Sequence, residues 1–200
     1  DTLKKLVESE DLDPQQTKSA IAAILAVGGP EDLHTYGLDP KIFTRAGQHQ
    51  AGLHADALAR LIDVARFRNV RPAGDLAASL NHLIDRDHPQ LQANALKLVG
   101  MWTVDKTQTK VLSAAKDEAL PVPVRAAELE AMVALRLPTS RELLAAYART
   151  PSPPALRSAA IQALVALDTQ AAARHAAELF ADSDPEGASP TATLTAFLNR

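Results

Sequence analysis

The sequence contains no cysteine. This absence excludes disulfide bonds, thiolate metal ligands, thiol nucleophiles and c-type haem attachment within these 200 residues. Aromatic residues make up only 4% of the chain, and no apolar run approaches the roughly 20 residues that span a bilayer. The formal net charge of -3 gives no overall field that would attract nucleic acid or anionic lipid. We therefore expect neither nucleic acid nor a membrane as a partner.

Motifs for catalysis and for ligand binding are also missing. The histidines that lie near each other in the sequence, such as His49 with His54 and His82 with His88, are five or six positions apart. Zinc ligands on one helix need a spacing of three or four. The chain has no His-Glu-x-x-His motif, no phosphate-binding glycine loop and no Gly-x-Ser-x-Gly elbow. The sequence therefore predicts no enzyme, no metal, no cofactor and no small-molecule substrate.

The sequence does contain a helical pattern that recurs six times. Its clearest copies begin at Leu91, Val124 and Leu156, at intervals of 33 and 32 residues. Fainter copies begin at Gln16, Leu53 and Ser189. Small or apolar residues almost always occupy the offsets +3, +4, +7, +8 and +11, and a second apolar stripe follows at +5 and +9. Such helices are buried on two sides, and the period is typical of stacked helical hairpins.

The segments between these copies predict the partner helices, over 73–86, 106–117, 139–149 and 170–181. Glycines and prolines in 28–48 interrupt any helical period, so we expect a loop there on one edge of the array, and a specific contact at that loop. The alternative for 28–48 is a degenerate hairpin with a longer turn. We expect one repeat domain over 1–200, irregular over 1–70 and regular over 71–200. Its ends indicate a piece of a longer protein.

Two of the copies resemble a known repeat. The segments PVRAAELEAMVAL (123–135) and ALRSAAIQALVAL (155–167) are similar to the second helix of HEAT repeats, with an arginine, small residues and an aliphatic run in the same order. The resemblance implies an all-α fold, an α-solenoid of about six HEAT-like antiparallel hairpins with a right-handed superhelix. It also implies that Arg125 and Arg157 pair with acidic turn residues.

A narrower resemblance starts from the stretch NALKLVGMWTVD (94–105) and the two segments after it. Together they look like the helical-repeat segment of large multidomain haem-binding proteins of planctomycete-type bacteria, between a dehydrogenase-like β-propeller and a c-type cytochrome module. This resemblance implies the spacer of an exported redox protein, periplasmic or otherwise extracytoplasmic. Without it, a cytoplasmic location is expected.

The function expected from these patterns is that of a non-catalytic scaffold that docks a protein partner or neighbouring domains of a parent chain. The docking surface should consist of exposed residues on the second helices, namely Lys18, Gln92, Lys97, Arg125, Glu130, Arg157 and Gln162. The mixed charge of the +6 offsets, Lys97, Glu130 and Gln162, favours a spacer or a low-affinity dock over a strongly binding module.

A basic cluster leaves a second function open. Arg60, Arg66, Arg68 and Arg71 lie close together in the sequence, with Asp63 among them. HEAT-like DNA glycosylases use such a stripe together with exposed aromatics, so the alternative is a nucleic-acid-binding protein or a glycosylase. Aromatics at the spacing of a stacking platform are missing here, which favours a solvated helix end.

Overall fold

The computed structural model describes residues 2–9, 11–45, 48–115, 117–149, 151–181 and 190–199. Within these residues the chain forms twelve α-helices, two short 3-10 helices and one pair of two-residue strands. The prediction of an all-α protein is therefore confirmed. The chain divides into two compact units, Asp1–Thr107 and Gln108–Arg200.

The first unit contains six α-helices. They are α1 (Thr2–Glu8), α2 (Pro14–Val27), α3 (Pro30–Gly37), α4 (Ala51–Arg68), α5 (Leu76–Ile84) and α6 (Pro89–Trp102). The 3-10 helices are Pro40–Phe43 and Asp105–Thr107, and the antiparallel strands are β1 (Thr44–Arg45) and β2 (Gln48–His49). Within this unit α2 packs on α4 and α4 packs on α6, while α1, α3 and α5 pack on α2, α4 and α6 respectively.

The second unit also contains six α-helices among the described residues. It contains α7 (Gln108–Ala114), α8 (Val122–Ala134), α9 (Ser140–Tyr147), α10 (Pro154–Val165), α11 (Thr169–Ala181) and α12 (Pro190–Leu198). Helix α10 is at its centre, because it contacts α8, α9, α11 and α12. Helix α7 packs on α8. The copy predicted to begin at Ser189 corresponds to α12, although Ser189 itself lies outside the described residues.

The helix starts follow from capping residues and prolines that precede each apolar run. The Asp13 carboxylate accepts the Gln16 backbone N–H, and the Gln16 side chain accepts the Asp13 N–H in return, which closes a capping box. The Asp75 carboxylate accepts the Ala77 and Ala78 backbone N–H groups at the start of α5. Helices α2, α6, α8 and α10 have proline in their first turn, where the missing N–H costs nothing.

The segment 28–48 contains more regular structure than the interrupted pattern predicts. Pro30 begins α3 and suits a first helical position, and the Asp32 carboxylate accepts the Gly29 N–H. Gly37, at the end of α3, lies against Leu61 of α4, where a Cβ would be 2.5 Å from a Leu61 methyl carbon. The expected loop is therefore largely a short helix packed on α2 and α4. Prolines and glycines here mark where helices begin and where they pack closely.

Candidate docking groove

The predicted docking residues of the first unit are only partly available for contact. The Lys18 ammonium lies 2.8 Å from an Asp56 carboxylate oxygen, which joins α2 to α4, and both side chains are about half exposed. Gln92 donates a hydrogen bond from its amide to the Ile84 carbonyl at 3.1 Å. Lys97 is half-buried. Of these three residues, Lys18 is the one that projects most freely into solvent.

The predicted docking residues of the second unit differ in exposure. Glu130 is exposed, and the Arg125 guanidinium lies 5.0 Å from the centre of the Tyr147 ring. Gln162 donates to the Ser158 hydroxyl at 3.0 Å. The expectation that Arg157 is exposed is wrong, because its side chain packs inside the unit and Arg157 is only 5% exposed. Its Nε–H donates to the Ala148 carbonyl, so it holds the end of α9.

A groove runs along the interface of α2 and α4 in the first unit. One half is lined by Gln15, Lys18, Ser19, Ile21, Ala22, Leu53, Asp56, Ala57 and Arg60. The other half is lined by Ala22, Ala26, Arg60, Asp63, Val64, Phe67 and Arg68. Ala22 and Arg60 border both halves, so they form one continuous surface, which we call the α2–α4 groove.

The two halves of the α2–α4 groove differ in chemistry. The half around Lys18 is lined by polar and apolar groups in similar measure and contains the ion pair of Lys18 with Asp56. The other half is an open cavity of about 360 Å³ with mostly apolar walls. Its wall includes Phe67, which is 77% exposed. A phenyl ring this exposed on a cavity wall marks an interaction site more strongly than a scattered surface leucine does.

The arginines of the sequence cluster have separate roles around this cavity. The Arg68 guanidinium donates to the Leu25 carbonyl at 3.0 Å and to the Gly28 carbonyl at 2.9 Å, so it caps the C-terminal end of α2. Arg60 lies 3.7 Å from Asp63 on its own helix, and its side chain is 60% exposed. The cluster is therefore divided between a structural cap and the wall of the groove.

Buried titratable groups lie elsewhere in the first unit. His54 is completely buried, stacks on Phe43 with ring centroids 3.8 Å apart, and bonds through Nε2 to the Gly37 carbonyl at 3.1 Å. Because a carbonyl can only accept, His54 Nε2 carries the proton, and Nδ1 accepts from His49 Nε2–H at 3.0 Å. Burial lowers the pKa of His54 to about 3 and also lowers the pKa of His49.

The second unit contains a buried carboxyl group on α8. Glu128 is 0% exposed, and neither carboxyl oxygen has a hydrogen-bond partner among the described residues. Burial raises the pKa of Glu128 to about 8, although the nearby Arg125 charge acts in the opposite direction. Both the sequence pattern and the structure assign Glu128 to the core line of its helix. Its missing partner could not be read from the sequence.

The α2–α4 groove was only partly visible in the sequence. Lys18 was singled out as a docking residue and Arg60 as part of the basic cluster, but nothing indicated that they border one groove. The signal that could have found the cavity is Phe67, an aromatic residue outside the apolar line of the repeat and flanked by Arg66 and Arg68. Phe67 follows Val64 by three positions, so the two side chains lie on the same side of α4 and both border the cavity.

Two kinds of site are absent from the described part of the chain. There, no group of three or more His, Asp or Glu side chains is arranged to hold a metal ion. No helix in that part is both long enough and apolar enough to cross a membrane. No protein-family model, no curated protein and no solved structure matches this chain.

Proposed function

We propose that this chain is a non-catalytic HEAT-like α-solenoid of about six hairpins that docks a protein partner or neighbouring domains of its parent chain. The second helices are α2, α4, α6, α8, α10 and α12. The first helices, α1, α3, α5, α7, α9 and α11, complete the hairpins. The right-handed superhelix stays part of this proposal.

The observation that carries the proposal is the order in which the second helices pack. Within the first unit they contact each other in sequence order, α2 on α4 and α4 on α6. Within the second unit α10 contacts both α8 and α12. Contact between successive equivalent helices is the defining property of a repeat array, in which each repeat touches its neighbours.

The docking part of the proposal is supported by the α2–α4 groove. It combines an exposed ion pair, Lys18 with Asp56, and an apolar cavity at Phe67 on the surface of two second helices. A rigid helical surface with a concave apolar site suits recognition of another protein. The mixed charges elsewhere on the second helices, such as Glu130 and Lys97, support a dock of modest affinity.

The scaffold proposal can be tested by small-angle X-ray scattering of the whole chain. A compact globule of 200 residues has a radius of gyration of roughly 16 Å, whereas a continuous stack of six hairpins is longer. We therefore expect a clearly larger radius and a distance distribution with an extended tail. A radius near the globular value would contradict a solenoid.

The docking proposal can be tested with single-cysteine variants, because the chain has no cysteine of its own. A photo-crosslinker is attached at Lys18→Cys or Glu130→Cys on second helices, and at Ala146→Cys on the first helix α9 as the matched control. We expect one saturable adduct with a defined protein from the second-helix positions only. Equal labelling from Ala146→Cys, or no saturable adduct at all, would contradict docking by this surface.

A further inference from the structure

The apolar half of the α2–α4 groove contains exposed apolar surface that the fold does not use. Ala22 and Ala26 on α2 and Val64 and Phe67 on α4 form its walls, and Phe67 is 77% exposed. In the core, leucines of the same helices, such as Leu25 and Leu58, are completely buried. The fold therefore covers the inner face of this helix pair and leaves an apolar trough on its outer face.

The dimensions of the groove favour a helix as the occupant. Its lining on α2 extends from Gln15 to Ala26, and on α4 from Leu53 to Arg68. At about 1.5 Å per residue, the α2 side is roughly 17 Å long, which is about three helical turns. A third helix that lies along two packed helices places its own apolar ridge in the groove between them. The apolar cavity would receive one large side chain of that ridge.

The charges around the cavity indicate what should flank the apolar ridge of the partner. Arg60 and Arg68 border the cavity, and Asp63 is the only carboxylate among its lining residues. The Arg60 side chain is 60% exposed and lies at the long distance of 3.7 Å from Asp63. An exposed, loosely paired guanidinium can turn to a carboxylate on a partner at little cost. An acidic partner complements this end of the groove.

We propose that the α2–α4 groove binds an acidic amphipathic helix of about three turns from a partner protein. A large apolar side chain of that helix fills the cavity between Ala26 and Phe67, and a carboxylate next to it pairs with Arg60. This inference rests on the docking function proposed above and names the chemistry of the partner.

The experiment measures binding of two synthetic helical peptides to the full chain by fluorescence anisotropy. Both peptides have about 14 residues and the same leucine stripe, and the flanking positions are glutamate in one and lysine in the other. We expect saturable binding of the glutamate peptide. The lysine peptide should bind about fivefold more weakly, because one exposed charge pair is worth up to roughly this factor.

Two variants locate the binding site. Ala26→Trp fills the cavity and should weaken binding of the glutamate peptide at least about tenfold. Ala59→Trp adds the same side chain at an exposed position of α4 outside the groove lining, and should leave binding unchanged. Arg60→Glu should weaken binding of the glutamate peptide about fivefold and strengthen binding of the lysine peptide by a similar factor. Arg66→Glu makes the same charge change on the same helix outside the lining, and should have a much smaller effect. Circular dichroism checks that each variant is folded.

Several results would overturn the inference. These are no binding of either peptide, equal binding of both peptides, or binding that Ala26→Trp does not weaken. Self-association of the chain that Ala26→Trp abolishes would assign the groove to a second copy instead. If the peptides fail while the crosslinks from Lys18→Cys and Glu130→Cys persist, the partner chemistry is wrong but docking stands. If both fail, the proposed function fails as well.

Discussion

The two compact units bury polar side chains in different ways. In the first unit, buried His54 bonds to the Gly37 carbonyl, and the amide of buried Asn94 donates to the Ala55 carbonyl at 2.9 Å. In the second unit, the buried carboxyl of Glu128 has no partner among the described residues. Both units satisfy backbone carbonyls with buried side chains, as Ser140 and Arg157 do in the second unit. The units differ in the titratable group that they bury, a bonded histidine in the first and a carboxyl without a described partner in the second.

This difference predicts opposite pH responses. A buried, bonded histidine favours its neutral form, so the first unit loses stability in acid. A buried carboxyl without a partner also favours its neutral form, so the second unit loses stability as the pH rises. The alanines Ala57, Ala95 and Ala160 occupy the +4 offset that Glu128 occupies in its own repeat. The cost of Glu128 therefore arises at a position where these three copies need only a small apolar residue.

The largest expected effect is the pH dependence caused by Glu128. Its carboxyl titrates near 4.5 in the unfolded chain and at about 8 in the folded one. Between these values the unfolded state releases a proton that the folded state keeps, so the free energy of unfolding falls by up to about 1.4 kcal/mol per pH unit and then levels off. We expect the free energy of unfolding of the second unit to fall by roughly 3–5 kcal/mol in total. Urea denaturation followed by circular dichroism from about pH 5 to pH 9 measures it.

The matched variant for this prediction is Glu128→Gln, which removes the charge and keeps the size. It should flatten the pH profile of the second unit, and Glu128→Leu should in addition raise the free energy of unfolding at every pH. The single tryptophan, Trp102, lies in α6 of the first unit, so its fluorescence reports on that unit. An equally steep loss in Glu128→Gln would show that another group causes it.

The next effect belongs to His54 and has the opposite sign. Its pKa is about 3 in the folded state and 6.5 in the unfolded state, with burial as the main cause and His49 as the next. As the pH falls below 6.5, the unfolded state gains a proton that the folded state does not bind, and stability falls. Between pH 6.5 and about pH 4.5 we expect the free energy of unfolding of the first unit to fall by up to roughly 3 kcal/mol. Trp102 fluorescence in urea measures it.

The variant His54→Gln separates this titration from other sources of acid sensitivity. It keeps an amide that can donate to the Gly37 carbonyl but cannot be protonated in this range. The first unit of the variant should be less stable near pH 7 but should lose clearly less further stability between about pH 6.5 and pH 4.5, because only His49, whose pKa burial also lowers, still contributes. A slope equal to that of the unchanged protein would assign the effect to other groups.

The sequence predicted the helices better than their connections. Copies predicted to begin at Gln16, Leu53, Leu91, Val124 and Leu156 correspond to helices that begin at Pro14, Ala51, Pro89, Val122 and Pro154. The apolar period shows where a helix is buried, and the first helical turn extends two residues further because a proline or cap starts it. The period could not show α3, because that helix has eight residues and is bounded by glycines.

The site was less predictable than the fold, because exposure and pairing depend on neighbouring helices. Arg157 is charged and was expected to be exposed, yet the end of α9 lies over it and accepts its Nε–H through Ala148. Arg68 reaches 43 positions back in the sequence to the Leu25 carbonyl. Contacts of this range leave no trace in the spacing of one helix. Only Lys18 among the predicted docking residues lines the α2–α4 groove.

A smaller effect is expected for the buried amide that joins α4 to α6. Asn94→Leu removes the hydrogen bond to the Ala55 carbonyl and leaves this carbonyl without its side-chain partner. We expect a loss of about 1–3 kcal/mol in the first unit, measured by Trp102 fluorescence in urea. Gln90, which is exposed and donates to the Asn94 side chain, provides the control. Gln90→Ala should cost much less, and an equal cost would show that the outer bond matters as much as the buried one.

The smallest effect tests whether hydrogen bonds to backbone carbonyls stabilise the first unit at its surface as well as in its core. Arg68→Met keeps most of the apolar stem but removes the two bonds to the Leu25 and Gly28 carbonyls at the end of α2. We expect the free energy of unfolding of the first unit to fall by about 1 kcal/mol, because these bonds satisfy terminal carbonyls and place a positive charge at a helix C-terminus. Arg66→Met removes the same charge two positions earlier and should change stability by less than about half as much, with Trp102 fluorescence in urea as the measurement. If both variants cost equally little, water satisfies these carbonyls as well as Arg68 does, and the contrast between the two units is confined to their buried polar groups.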